Sequence, residues 1–576
     1  MRPAARKILN TKNAVAVFIV VALSVIAALA VPDSSSPGHG GPWYSILPPL
    51  LAVTLAIVTR RVMGSLALAI VIGGLLASVP SSPLAVGTWG EGLRISFQFV
   101  WGSVADWTNI QILAFVVVVL AMISTVIVAG GLQAIVLWLA RFVRGPRSAQ
   151  TVTALMGLTV FIDDYANTMI VGASMRPVTD RLRVSREKLA FLVDSTSAPV
   201  AGVAVVSTWV GYEVGLFEDL ARSAGIESTG YAMLFAALPF RFYCILMICF
   251  VLMNALTGKD FGPMARAERR CRATGAVAEE DAVAMTSKAF STATPAPGAR
   301  ARMATAILPI AALFGFLFVG IWLDGGGGRR LAESPLALLS PAAWMDVIGA
   351  SENSIPLLAG AGAVSLALVV ICARWLAKAP FAVIVRSVLA GARASLLPVA
   401  ILVLAWSLKA ACDRLGTGPF LVAAVGETLG AAWFPAITFI IAALTSFSTG
   451  TSFGTMAILI PVAGPIAFHL GGDAHGLVMM VTLAAILDGS ILGDHCSPIS
   501  DTTIMSSISS SCDHIHHVRT QLPYSLTVGS LALICGYLPA GFGVSPWLAL
   551  PAAVAAMAVL FYFLPAGRDA AATTRS

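Results

Sequence analysis

DGSILGDHCSPISDTTIMSSISS, from Asp488 to Ser510, sets carboxylates, a histidine, hydroxyls and a proline between VTLAAIL upstream and PYSLTVGSLALICGYLPAG downstream. A polar run embedded in apolar sequence lies at membrane depth. Ionisable groups are costly there and default to function. Working outward from it, hydrophobic residues make up 58% of the chain and charged residues 11%, with a mean hydropathy of +0.87. A soluble globule carries about 25% charged residues, so the composition indicates a polytopic membrane protein.

A span needs about 20 apolar residues, and the chain offers about twelve, starting near Ala14, Trp43, Val62, Asn109, Lys188, Tyr231, Met303, Ile355, Ser395, Leu477, Gln521 and Trp547. Ala14 to Val31 is too long for a signal-peptide core and reads as a retained span. The eight cysteines are scattered, without disulfide or CxxC spacing. The net charge of +7 sits in particular loops, which makes it a topology signal and not a nucleic-acid footprint.

Arg2, Arg6, Lys7 and Lys12 precede the first span, whereas the next loop, PDSSSPGHGG, has no basic residue. The positive-inside rule therefore puts the N-terminus in the cytoplasm. From Thr151 to Pro177 the chain reads TVTALMGLTVFI, DDYAN, TMIVGASMRP, with basic loops on both sides. Arms of about a dozen residues cannot span, so a re-entrant helical hairpin is expected, its tip at Asp163–Asn167. Leu189 to Trp209 follows, a span interrupted at Asp194, Ser195, Thr196, Ser197 and Pro199, because proline cannot continue the helical ladder. Lys259 to Arg302 is long, polar and basic and reads as a largely disordered cytoplasmic linker.

The second half repeats this order. LAMISTVIVAGGLQAIVLWL resembles LAWSLKAACDRLGTGPFLVAAV, and FIDDYANTMIVG resembles FSTGTSFGTMAILIP. The expected architecture is an all-α polytopic membrane protein of inverted structural repeats, with about twelve spans, two re-entrant hairpins and two interrupted helices. Its parts are N-terminal spans (1–61), repeat 1 (62–257, hairpin 151–177, broken helix 188–209), the linker (258–302), repeat 2 (303–541, hairpin 435–469, broken helix 477–510) and a final span and tail (542–576). Basic residues bracket the first hairpin and are missing beside the second, so the two enter from opposite sides. Inverted repeats with discontinuous helices are the build of secondary transporters, with the site near the midplane.

Four polar elements then converge: Asp163, Asp164, Tyr165, Asn167 and Thr168; Asp194 to Ser197; Thr449, Thr451, Ser452 and Thr455; and Asp494, His495, Ser497, Asp501, Thr502 and Thr503. Carboxylate, hydroxyl and freed carbonyl oxygens suit a small hard cation such as Na+. A proton competes for the same carboxylate, and an acid holding one or the other gives exchange. Plainer roles stand beside this: Asp163 or Asp164 capping a hairpin arm, hydroxyls bonding local backbone, His495 as a core histidine or a pH-sensitive gate, and His514, His516 and His517 as a solvated turn or a metal site. Asp488 is a weaker ligand candidate, and Lys409 is paired, snorkelling or a counter-ion.

FIDDYANT at Phe161–Thr168 and GDHCSPISDTT at Gly493–Thr503 closely resemble the signature motifs of the NhaC-type Na+/H+ antiporter family, of the wider ion transporter superfamily. The resemblance extends loosely over 62–539. It implies an inverted-repeat fold, often a homodimer with an elevator-like transport domain, and makes Asp163, Asp164, Asn167, Asp494, Ser497, Asp501 and Thr502 the Na+ candidates. Family members also include organic-acid and amino-acid exchangers. The expected protein is thus an inner-membrane antiporter with Na+, H+ and lipid as its partners, no cofactor, no nucleic acid and no enzymatic activity. A Na+- or H+-coupled transporter of a small organic acid or amino acid is the alternative. Intramembrane hydrolysis at Ser497 with His495 fits poorly, since adjacent Asp and His lack helical HExxH geometry. A channel suits paired interrupted helices less well than alternating access.

Overall fold

A chain in hydrocarbon must satisfy its backbone polar groups within each segment, and among the described residues this one does so with helices alone. The computed structural model describes residues 42–59, 61–78, 86–283, 295–296, 298–417, 420, 430–472 and 476–564. The expected span at Ala14–Val31, the cytoplasmic placing of the N-terminus, parts of the linker, most of the stretch after Gly416 and the C-terminal tail lie outside them. Among the described residues, 9 helices are long and apolar enough to cross a membrane, or up to 10 if one bent pair is a single span. The segments expected from Trp43 and Val62 form shorter apolar helices.

In the first half the helices are α1 (Leu47–Thr59), α2 (Val62–Ser78), α3 (Val86–Ala105), α4 (Trp107–Val128), α5 (Gly131–Ala140), α6 (Pro146–Thr159), α7 (Asp164–Arg181), α8 (Arg186–Ser195), α9 (Ala198–Val203), α10 (Thr208–Ala224), α11 (Gly230–Ala237), α12 (Phe242–Thr257) and α13 (Gly262–Thr274). The second half has α14 (Ala304–Asp324), α15 (Gly327–Glu333), α16 (Pro341–Ala350), α17 (Ser354–Trp375), α18 (Phe381–Ala394), α19 (Leu396–Leu415), α20 (Phe434–Thr449), α21 (Ser452–Gly471), α22 (Leu477–Cys496), α23 (Asp501–Ser509), α24 (His514–Gly541) and α25 (Pro546–Phe563). Two outer groups, α1–α3 with α19 and α4 with α14, α17 and α18, flank a core built from α6–α10, α12 and α20–α24.

The arms α6 and α7 have 14 and 18 residues, and α20 and α21 have 16 and 20. Those of the first hairpin are longer than the expected dozen, α7 starting from its Asp163 cap and running through Pro177 to Arg181, and α21, which starts from its Thr451 cap and contains Pro461 and Pro465, is long and apolar enough to cross a membrane. The two helix breaks close the same turn. The Asp194 carbonyl accepts from the Ser197 N–H at 3.1 Å, and the Asp494 carbonyl accepts from the Ser497 N–H at 2.9 Å. Gly489 and Gly493 put bare backbone of α22 against Phe439 and Ala443 of α20. Small residues at i and i+4 allow such close approach in membrane helices, and Ser446 of α20 then donates to the Ser490 carbonyl at 2.6 Å.

The described part of the linker is more ordered than its composition suggests. Residues 262–274 are helical, and the buried Glu268 accepts from both the N–H and the hydroxyl of Ser185 at 2.8 Å. Beyond α13, the Arg186 N–H donates to the Val277 carbonyl at 2.9 Å and the Val283 N–H to Asp513 at 3.0 Å. This strap ties the start of α8 to the start of α24. Buried basic residues find partners here that local sequence does not supply. Lys188, the first basic residue of the expected span, is fully buried on Asp260 and Asn254.

Arg241 lies in the span expected from Tyr231, which breaks at Pro239 and resumes at Phe242. Its Nε donates to Asp488 at 2.7 Å and its Nη1 to Glu213 at 3.3 Å, with all three residues buried. Asp488 also accepts from the N–H of Tyr243 and the hydroxyl of Tyr537, each at 2.7 Å. Asp488 is therefore a structural acid, not an open ligand, that joins α10, α12, α22 and α24. Breaking a buried pair on one side costs about 3–5 kcal/mol. Arg241→Gln is expected to lower thermal stability in detergent markedly, and adding Asp488→Asn to it is expected to restore part of the loss; a double variant less stable than the single one contradicts this pairing.

Candidate functional site

The short helix α23 carries Asp501, Thr502, Thr503 and Ser506 on its first turns, with Ser500 capping it through the Thr503 N–H. Its hydroxyls divide between the two breaks. Thr503 donates to Asp194 Oδ2 at 3.2 Å and Ser506 to Asp194 Oδ1 at 2.9 Å, and Gln521 of α24 adds a third donor at 2.6 Å. Asp194 is thereby well supplied. Within 3.5 Å Asp494 receives only the Thr502 hydroxyl, at 3.2 Å on Oδ2, with the Ser500 hydroxyl close by, and its buried Oδ1 has no partner at that distance. An ionised carboxylate oxygen accepts about two hydrogen bonds, and one buried without any costs free energy. Asp494 Oδ1 is thus an open position in a protein interior.

Around that position the first hairpin and the second break meet. The Tyr165 hydroxyl donates to Asp501. Asp164 has Asp163 and Asp501 as electrostatic neighbours, and Asp494 has Asp501 and Asp194. Asp163, Asp164, Asp194 and Asp494 are buried, whereas Asp501 is exposed, so Asp501 is the member of this carboxylate cluster that reaches the surface of the chain.

The remaining expected residues divide by role. Asp163 caps α7, its Oδ1 accepting from the N–H groups of Tyr165 at 2.8 Å and Ala166 at 3.2 Å. Asn167 donates to the carbonyls of Gly157 at 2.8 Å and Thr196 at 2.6 Å, tying the hairpin to the first break and leaving its own buried Oδ1 without a partner. Thr168 and Ser197 donate to local carbonyls, at Tyr165 and Asp194. Ser195 lies 3.2 Å from His495 Nε2, and the Tyr243 hydroxyl lies 2.9 Å from His495 Nδ1. His495 thus bridges the two breaks as a satisfied core residue.

At the second hairpin, Thr449 donates to Thr445, Thr451 caps α21, and Ser452 donates to the Ser490 carbonyl at 3.2 Å. These hydroxyls serve backbone and not the carboxylates. The tip still touches the second break: Ser497 donates to the Phe447 carbonyl at 2.8 Å, and Gly450, at φ 69°, presses its backbone on Ile499. Lys409 lies 2.9 Å from Asp413 and 3.5 Å from Asp219, away from the cluster. Sequence reasoning missed Ser506, Gln521 and Tyr243. Gln521 was findable as an amide four residues from His517 inside an apolar helix.

The sequence pattern that defines the Na+/H+ antiporter family matches residues 200–542, which include the second hairpin and second break. The chain belongs to that family. It is 32% identical over 526 residues to an uncharacterized protein of Haemophilus influenzae, an alignment covering 90% of this chain and 95% of that one. The malate-2H(+)/Na(+)-lactate antiporter of Bacillus subtilis is 36% identical over 111 residues, 19% of this chain and 23% of its own length. The arginine/ornithine antiporter ArcD of Halobacterium salinarum is 30% identical over 246 residues, 41% and 42% of the two chains. In fold, the protein is similar to the YdaH transporter of Alcanivorax borkumensis, with a TM-score of 0.54 and 16% identity over 87% of this chain and 99% of that one. A family of multi-pass transporters accords with the apolar helices and with polar groups gathered at their breaks.

The cap at Asp163 can be separated from the open cluster by stability alone. Asp163→Ala removes the cap of α7 and is expected to cost about 1 kcal/mol, while Asp163→Asn, a capping residue itself, costs much less. Thermal denaturation of both variants checks it, and equal losses contradict the cap.

Proposed function

We propose that the protein exchanges cytoplasmic Na+ for external H+ by alternating access at the Asp494 cluster. The single observation that carries this reading is the buried Asp494 Oδ1 without a hydrogen-bond donor, beside Thr502 and Asp501, the acid that also neighbours Asp164. Such an oxygen is satisfied by a proton or by a hard cation, one excluding the other. Asn167 supplies a second buried oxygen without a partner, and hard oxygen donors are what Na+ takes. In this reading Asp164, Asn167, Asp494, Asp501 and Thr502 hold the ion, while Asp163 and Ser497 set the backbone around it. The other expected residues position or satisfy these groups.

The matching turns at Asp194–Ser197 and Asp494–Ser497 support two inverted repeats, with the hairpins entering from opposite sides and the site near the midplane. The charge pattern supports an inner-membrane protein with its N-terminus and strap in the cytoplasm. A second reading, coupled exchange of a small organic acid or amino acid, is favoured by the names of the two partial relatives. The acid-rich cluster argues for a cation or an amine over a simple anion.

Everted vesicles carrying a pH-sensitive dye test the proposal. Na+ is expected to dissipate an imposed proton gradient with the wild type, and Asp494→Asn and Asp164→Asn are expected to reduce that response at least about tenfold, which corresponds to about 1.4 kcal/mol. Both variants exchanging like the wild type would end the assignment. Labelled carboxylates or amino acids moving against Na+ or H+ while Na+ alone gives no response would favour the second reading.

A further inference from the structure

Na+/H+ exchange as proposed leaves unused the histidines at the start of α24, which the sequence presents as a solvated turn. His517 is fully buried. Ser507 of α23 stands between two of these rings, its Oγ 3.1 Å from His514 Nδ1 and 2.9 Å from His517 Nδ1.

The far nitrogens fix the protons. His514 Nε2 lies 2.8 Å from the Pro498 carbonyl, and His517 Nε2 lies 2.9 Å from Gln521 Oε1. The Gln521 amide nitrogen spends its two hydrogens on Asp194 Oδ2 at 2.6 Å and on the His495 carbonyl at 2.7 Å, so its oxygen is the atom facing His517. Carbonyl oxygens only accept, and both Nε2 atoms therefore carry hydrogens. A neutral ring then has a bare Nδ1. Two bare nitrogens would face one hydroxyl that holds a single hydrogen and also lies 2.8 Å from the Thr503 carbonyl, a further acceptor. One hydrogen cannot serve three acceptors. Both ring contacts with Ser507 close only when at least one imidazole holds a second proton and donates it to the hydroxyl.

We propose that His514, Ser507 and His517 form a proton relay from the strap-bearing surface to Asp194, so that the proton enters between α23 and α24 and not by way of Asp501. The relay rests on the proton-coupled reading above. A proton on His514 Nδ1 passes to Ser507 Oγ as the hydroxyl's own hydrogen passes to His517 Nδ1. His517 then releases its Nε2 hydrogen to Asp194 Oδ2, which lies 3.9 Å away and closes to hydrogen-bond range by a swing of about 1 Å. Only N–H and O–H bonds form and break. The products are neutral His514, neutral His517 with its hydrogen on Nδ1, and a protonated Asp194. The charged and titratable groups facing His517 among the described residues are Asp194 from α8, His495 from α22 and His514 on its own helix, and of these the carboxylate is the anion. Thr503 and Ser506 hold that carboxylate, while Thr502, the residue before Thr503, serves Asp494. One short helix thus touches both Asp194, where the relay delivers its proton, and Asp494, the acid that a proton or a cation occupies in turn.

Two fluxes in reconstituted vesicles of the full chain test the relay: proton movement driven by a Na+ gradient, read by an internal pH dye, and exchange of labelled Na+ for Na+ at equal concentrations, which needs no net proton. In His517→Gln and Ser507→Ala the ratio of proton movement to Na+ exchange is expected to fall at least tenfold. Variants with the wild-type ratio, or with both fluxes reduced in step, overturn the relay and leave the exchange reading standing. A wild type that moves Na+ without protons overturns both. If His517→Gln is not recovered folded, His514→Gln at the partly exposed end carries the same expectation and the same contrary result.

Discussion

Two buried aspartates at matching helix breaks are supplied unequally with hydrogen-bond donors, and the rest of the structure turns on that inequality. Asp194 receives three donors, from Thr503, Ser506 and Gln521, whereas Asp494 receives one, from Thr502. Burying a carboxylate is costly unless it is paired or hydrogen-bonded. The fold meets that cost in full at one break and leaves it partly unmet at the other, where an oxygen stands without a partner.

Holding such a site requires helices that cannot drift apart. The backbone freed at each break is tied by a side chain from elsewhere, Asn167 on the Thr196 carbonyl and Gln521 on the His495 carbonyl, and Ser497 of the second break ties the Phe447 carbonyl of α20 in return. Fully buried charges act further out. Arg241 with Asp488 and Glu213 joins α10, α12 and α22, and Lys188 with Asp260 anchors α8 to the beginning of the strap. Buried ion pairs are weak evidence for stability, but each of these fixes a contact between elements far apart in sequence. In a bilayer, where apolar surface alone does not drive helices together, such contacts can specify which helix meets which.

The carboxylates were legible because an acid in an apolar segment has few inexpensive explanations; Asp163, Asp164, Asp194, Asp494 and Asp501 could all be marked before any contact was known. Their differing roles were not legible. Whether an aspartate caps a helix, is saturated with donors or stands open depends on hydroxyls and amides that arrive from remote segments, such as the Tyr165 hydroxyl on Asp501 and Gln521 on Asp194. Arg241 was readable in principle as a lone basic residue after Pro239 in an apolar run, but its partners lie at Glu213 and Asp488. The hydroxyls of the second hairpin looked equivalent to the polar tip of the first, and they satisfy backbone because no carboxylate accompanies them. The strap was obscured by its composition, since Ala, Arg and Glu in a linker do not reveal that Glu268 is buried under Ser185.

The central claim is that Asp494 holds either a cation or a proton. Adding Na+ to purified protein in weakly buffered detergent solution and counting the protons released tests it directly. The wild type is predicted to release protons in proportion to Na+ bound, and Asp494→Asn to release none. Na+ binding by the wild type without proton release, or equal release from the variant, would contradict it.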